Sequence, residues 1–225
     1  MEGAALVKVL GLDCSGASCS AAILAESELR AHRFAAMERG QAEALLPMIR
    51  AALDEAGLGT TQLDLVAVTT GPGSFTGVRT GLAAARGLAL AAGLPLIGVT
   101  SFEAVAEAVR AQAQGRPLVI ALESKRDELF LQRFDVRGPG RASLVPPDLW
   151  RSYVGGPAAW LAGDGATRLA AAIGRSEADI LSAAGIDATP VARLGASRWR
   201  PGLRPPAPAP LYLRAPDTTM AARVT

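Results

Sequence analysis

Histidine is almost missing from this sequence: His32 is the only one in 225 residues. A histidine-based metal pair needs two, so that class of metal chemistry has no basis in these residues. Lysine is nearly as scarce, with only Lys8 and Lys125, and arginine therefore supplies almost all of the positive surface. The two cysteines, Cys14 and Cys19, sit close together and are too few to make a metal site without partner histidines. No charged leader precedes a long apolar run, so the pattern predicts a cytoplasmic chain with reduced thiols. The most apolar window, residues 80–100, is interrupted by Arg86, Gly93 and Pro95. It falls short of the roughly 20 apolar residues that cross a bilayer, and no membrane anchor is expected.

What is present is apolar residues, at 50% of the chain, enough for a real core in one large domain or two modest lobes. The net charge of +2 is unevenly spread, with seven basic and nine acidic residues in the first hundred positions and the excess reversed afterwards. Between 188 and 216 lie Arg193, Arg198, Arg200, Arg204 and Arg214 with no acid. Such a stretch could attract a polyanion such as RNA. Its density is also ordinary for a solvated surface, which is the reading adopted.

Along the chain, ALVKVLGLD reads as a short strand ending at Asp13, the small-residue turn DCSGA follows, and SCSAAIL completes a hairpin. ELRAHRFAA adds a third strand. From Gln41 to Ala56 the period changes, with Leu45, Ile49, Ala52, Leu53 and Ala56 at helical spacing. Pro47 lies either near the start of that helix or at a kink. DLVAVTT and LPLIGVT read as strands on either side of a second helix, and Ser101 is the expected cap of a third, running to about Gln114. The order β-β-β-α-β-α-β-α predicts a mixed sheet with helices packed on it. Further on, RPLVIALESKRDELFLQRFDV predicts two strands joined at 123–127, and PAAWLAGDGATRLAAAIG predicts strand, turn and helix. Short helices are expected near 177–184 and 191–199. Five prolines between 201 and 210 make an extended connector.

The segment GPGSFTGVRTGLAAARGLAL, residues 71–90, looks at first like a phosphate loop. A P-loop needs a lysine and a hydroxyl after its last glycine, whereas Gly77 is followed by Val78 and Arg79. The dinucleotide pattern G-x-G-x-x-G fails as well, since its third position is Thr76. Ser74 or Thr76 is expected to cap the helix. Gly77, Gly81, Ala85 and Ala89 recur every four residues, and each interior glycine costs about 1 kcal/mol relative to alanine. Something must offset that cost, and a smooth face that admits another backbone would do so. Packing on its own sheet accounts for one face; a second close contact, with a partner, is the sharper expectation.

The same twenty residues strongly resemble the signature of the TsaB family, also called YeaZ. LGLDCSGASCSAAIL is similar to that family's opening strand and hairpin, QAEALLPMI to its following helix, and PLYLR, residues 210–214, to its closing motif. Relatives commonly begin that helix with histidine, where this chain has Gln41. The resemblance implies an α/β fold of the actin-like, Hsp70-like and sugar-kinase (ASKHA) type, with two lobes of mixed central sheet and the second reduced. It divides the chain into a first lobe, 1–102 completed by 211–225, a smaller second lobe, 103–200, and the connector 201–210.

The resemblance further implies a non-catalytic subunit in making N6-threonylcarbamoyladenosine at position 37 of tRNAs that read ANN codons. It would act by pairing with the catalytic subunit TsaD, with the small ATPase TsaE joining, and would form a homodimer when alone. tRNA would be reached through the complex. No cofactor is expected on this chain by itself, with ATP or ADP admitted only in the assembly. The expected interface is the paired helical face of Leu45, Leu46, Ile49, Leu53, Phe75, Gly77, Val78, Gly81, Ala84, Ala85 and Leu88. Kinases of this fold keep a magnesium-binding carboxylate where Asp13 stands, and Gly73, Gly163, Asp164 and Gly165 resemble their glycine turns. Asp13 also reads as a turn residue closing a hairpin. The alternative function is a stand-alone ATPase or small-molecule kinase.

Overall fold

A computed structural model describes residues 7–182, 185–202 and 204–214. The first part runs β1 (Lys8–Asp13), β2 (Ser18–Ala25), β3 (Glu28–Ala36), α1 (Gln41–Ala56), β4 (Leu65–Thr69), α2 (Phe75–Ala92), β5 (Leu96–Val99) and α3 (Ser101–Ala113). Its sheet has the order β3-β2-β1-β4-β5, antiparallel through the hairpins and parallel across β1-β4-β5. The expected order of elements is therefore present, and the connections that contain α1 (β1 to β4) and α2 (β4 to β5) make the parallel pairing possible.

The second part contains β6 (Leu118–Glu123), β7 (Leu129–Asp135), β8 (Gly138–Pro139), β9 (Ser143–Val145), α4 (Trp150–Val154), β10 (Trp160–Ala162), α5 (Ala166–Ile173) and α6 (Ala188–Arg198). Its sheet runs β10-β6-β7-β8, with β9 also on β7. β8, β9 and α4 are too short to have announced themselves by periodicity.

Both faces of the first sheet are apolar, because alternate residues of β1 and β4 point opposite ways. Leu10, Leu12, Val66 and Val68 pack with Leu45, Ile49, Leu53, Val78, Leu82 and Ala85 of α1 and α2. Val9, Leu65 and Ala67 pack on the other face with Phe102 and Val105 of α3 and Val191 and Ala192 of α6. Small residues set the approach of α6: a Cβ on Gly11 would lie 2.8 Å from that of Ala192, and one on Gly195 2.6 Å from that of Ala67. Although it falls within the span 103–200 assigned to the second lobe, α6 thus belongs to the layers of the first sheet.

Other local expectations change too. The α3 cap is Thr100, not Ser101: Thr100 and Glu103 form a reciprocal capping box, freeing the Ser101 hydroxyl to donate to Ser15 at 3.0 Å. In 177–184 the described residues hold only a 3-10 turn, Glu177–Asp179, and the last helix begins at Ala188 behind the Asp187 cap. Pro47 is the seventh residue of α1, which continues through it. The connector carries no helix or strand among its described residues, and the Leu211 amide returns to the Thr70 carbonyl at 2.7 Å. The 215–225 part of the expected lobe completion lies outside the described residues.

The Ser74 hydroxyl accepts from the Gly77 amide at 3.3 Å, which settles the choice of cap for α2, and left-handed Gly93 ends the helix. Of the α2 glycines, Gly87 is exposed and a Cβ there would meet nothing within 4 Å. Gly87→Ala is accordingly expected to stabilise the isolated chain by about 0.5–1 kcal/mol, read as a higher urea midpoint with an unchanged slope. An unchanged or lower midpoint would mean that the helix is not formed as described.

Candidate functional site

The turn leaving β1 is where the first sheet, α2 and α3 meet. Asp13 is fully buried, and its Oδ1 accepts from the Ser15 amide at 3.0 Å, the Ser15 hydroxyl at 2.6 Å and the Thr69 hydroxyl at 2.6 Å. Its Oδ2 has no hydrogen-bond partner in the protein. Burial pushes the carboxyl up to about 6, against the opposing pull of those hydrogen bonds, and the Asp187 charge adds to the rise. The Ser15 carbonyl accepts from the Ser74 amide at 2.7 Å, and the Gly71 carbonyl from the Ser101 amide at 2.8 Å.

This turn is the backbone that comes close to α2. A Cβ on Gly77 would overlap the Cys14 carbonyl oxygen and sit 3.1 Å from its carbon. One on Gly73 would overlap the Ser15 carbonyl oxygen. Gly81 faces Val68 and the Cys14 side chain at ordinary contact, 3.6 and 3.7 Å. The glycine spacing therefore serves the chain's own β1–β2 turn first.

Beside it lies a cleft of about 720 Å³, lined by residues 72–76, Val78, residues 123–126, Phe130 and residues 211–214. At its mouth the Arg79 guanidinium sits 3.7 Å from the Phe75 ring centre and donates to the Tyr212 hydroxyl at 2.9 Å. Among the expected nucleotide residues, Gly73 lines the cleft, whereas Asp13 does not and is fully buried. Gly163, Asp164 and Gly165 do not line it but form a turn bound to β6, whose Glu123 does. Left-handed Gly163 packs on the Ala121 carbonyl, the Gly165 amide donates to the same oxygen at 3.0 Å, and Asp164 Oδ1 accepts from the Glu123 amide at 2.9 Å. Of the five, Gly73 is the one that lines the cleft.

The expected docking residues divide sharply. Leu45, Ile49, Leu53, Gly77, Val78, Gly81 and Ala85 are buried in the chain's own core, because they are the faces of α1 and α2 that cover the sheet. A partner can reach them only by unfolding that layer, so their assignment to the docking face is corrected. Leu46 and Phe75 are exposed, and Ala84 and Leu88 are partly exposed. Leu90, which was not among the expected residues, is 86% exposed.

Three of the five arginines of 188–216 are engaged within the chain. Arg198 binds Glu103 at 2.7 Å, Arg214 binds Glu128 at 2.8 Å, and Arg200 donates to the Ser197 and Trp199 carbonyls at the end of α6. His32 is a structural tie, its Nε2 lying 2.6 Å from Asp187 Oδ2 at the cap of α6. Among the described residues no group of three His, Cys, Asp or Glu side chains is placed to hold a metal ion. No helix among them is long and apolar enough to cross a membrane.

The family model for TsaD, tRNA N6-adenosine threonylcarbamoyltransferase, matches residues 35–150, about half of the chain. The tRNA threonylcarbamoyladenosine biosynthesis protein TsaB of Haemophilus influenzae is 36% identical over 146 residues, 65% of this chain and 61% of that protein. TsaB of Escherichia coli is 32% identical over 124 residues, 55% of this chain and 53% of that one. The chain thus spans little more than half the length of these curated relatives. A Pseudomonas aeruginosa structure described as an uncharacterized protein similar to peptidase YeaZ superposes with a TM-score of 0.78 at 26% identity, covering 92% of this chain and all of that one. An activator of 2-hydroxyisocaproyl-CoA dehydratase from Clostridium difficile, at 10% identity and a TM-score of 0.52 over 85% of this chain and 95% of that one, shares the fold alone. With two mixed sheets flanked by helices, the architecture is the actin-like, Hsp70-like and sugar-kinase one expected from the sequence. The chain belongs to the threonylcarbamoyltransferase-related family that this model defines and, within it, to the TsaB (YeaZ) group.

Proposed function

We propose that this chain is a non-catalytic binding and activating subunit in the synthesis of N6-threonylcarbamoyladenosine at position 37 of tRNAs that read ANN codons, and that it acts by dimerising with a TsaD-type catalytic subunit. The names of its relatives support the pathway. The docking part rests on the outward face of the α1–α2 pair. Leu46 of α1 and Leu90 of α2 stand 56% and 86% exposed, and Gly87 carries a helix penalty that no contact inside the chain offsets. A partner helix lying across this smooth face would supply the missing reason for Gly87. The same face would pair two copies of the chain when TsaD is absent, and a TsaE-type ATPase would join the heterodimer. tRNA is met through the complex, and ATP or ADP belongs to the assembly, a reading supported by Asp13 being fully buried.

The test replaces outward residues, leaving the core untouched. Leu46→Glu and Leu90→Glu chains should keep the parent's thermal midpoint within a few degrees, since both side chains are exposed, yet lose affinity for purified TsaD by about 30-fold or more, the scale of a hot-spot residue. Reconstituted tRNA modification should fall in step. Folded variants that bind TsaD with undiminished affinity would remove the docking reading. The cleft keeps one observation on the side of a stand-alone ATPase or kinase, its volume beside the first turn of α2. That reading requires the purified chain to bind ATP in a calorimetric titration.

A further inference from the structure

The β1–β2 hairpin carries a feature that the subunit reading does not use. Its register ends by pairing Asp13 with Ser20, and Cys14 and Cys19 are the residues next to that pair on the turn side. Opposed residues of antiparallel strands have Cα atoms about 4.5–5.5 Å apart, inside the range that a disulfide spans. The two sulfurs are already in contact at 3.4 Å, both thiols are free, and both side chains are fully buried. They are also the only cysteines of the chain.

We infer that Cys14 and Cys19 form a reversible disulfide site, closed by a peroxide-class oxidant, at the turn against which α2 is packed. The chemistry balances with one equivalent of peroxide. One thiolate attacks an oxygen of the O–O bond, which breaks to leave a sulfenic acid and hydroxide. The second thiol sulfur then attacks the sulfenic sulfur; the S–S bond forms, the S–O bond breaks and water leaves. Two thiols and one peroxide give one disulfide and two waters. Because both sulfurs are buried, the reaction waits on opening of the turn, and a small oxidant is favoured over a bulky one. Closing the bond draws the Cys14 side chain toward Cys19, on the segment whose carbonyl is received by Gly77. The packing of α2 on this turn thereby becomes sensitive to the redox state.

The full chain would be treated with hydrogen peroxide under native conditions, quenched, denatured, alkylated and weighed by mass spectrometry. The expected product is a monomer lighter by two hydrogens, with neither cysteine alkylated, restored by dithiothreitol and retaining the native circular dichroism spectrum. Cys14→Ser and Cys19→Ser chains should show no such loss. Two alkylatable thiols, at a peroxide dose that oxidises the urea-unfolded chain, would overturn the site. So would sulfinic acid without a bond, a cross-link between two chains, or a disulfide product that has lost the native spectrum.

Discussion

Replacing Gly77 by alanine is expected to destabilise the chain by about 3 kcal/mol or more, a large share of the roughly 5–15 kcal/mol that holds a domain folded. Helix propensity alone predicts the opposite sign, a gain of about 1 kcal/mol. The added methyl, however, would overlap the Cys14 carbonyl oxygen. That oxygen cannot rotate away as a side chain would, because it belongs to a turn fixed on both sides. Asp13 holds Ser15 through its amide and its hydroxyl, and the Ser15 carbonyl holds the Ser74 amide. Either α2 lifts off the sheet or the turn breaks these bonds. Gly87→Ala, ten residues along the same helix, supplies the internal control, since it adds the same methyl where nothing lies within 4 Å. Urea unfolding followed by circular dichroism should move the two midpoints in opposite directions. A Gly77→Ala chain as stable as its parent would remove the account of why α2 is glycine-rich.

That account also marks where the sequence was legible. Periodicity placed α1, α2 and α3 and the strands between them, because each buries a regular stripe against one sheet. Four-residue spacing showed correctly that Gly77, Gly81 and Ala85 face something close. It could not say what, because a helix stripe carries no information on whether the neighbouring backbone comes from the same chain or another. The residues of α1 and α2 that cover the sheet and those that face outward differ only in phase, and Leu45 and Leu46 sit side by side in sequence with opposite fates. The position of α6 was illegible for a related reason. Gly11 and Gly195 make its approach to the first sheet possible, yet they lie 184 positions apart and neither stands out alone. The glycine turn at 163–165 resembles in sequence the glycine turn of kinases of this fold, and only its bonds to Ala121 and Glu123 reveal a tie to β6.

Asp13→Asn is expected to stabilise the chain at pH 7.5 by about 2–3 kcal/mol and to leave it near parity with the parent at pH 4. The parent carboxyl, pushed up to about 6 by burial, ionises in the unfolded chain near its ordinary value of 3.8. Between those two values the folded state holds a proton that the unfolded state has released. This contribution is therefore complete below about pH 4 and is lost as the pH rises through 6, at about 1.4 kcal/mol for each unit of difference. Asparagine keeps an Oδ1 to accept from Ser15 and Thr69 while removing the buried charge. Its amide nitrogen takes the place of Oδ2, which already lacks a partner in the protein, so little else changes. Unfolding midpoints of both chains from pH 4 to 8 measure the effect, and a difference that stays constant with pH would show that Asp13 does not ionise as described. The same substitution separates the two functional readings. A docking subunit with its carboxylate sealed under the turn should bind TsaD as before, whereas a kinase-like enzyme that needs this carboxylate for magnesium should lose turnover even as its fold becomes more stable.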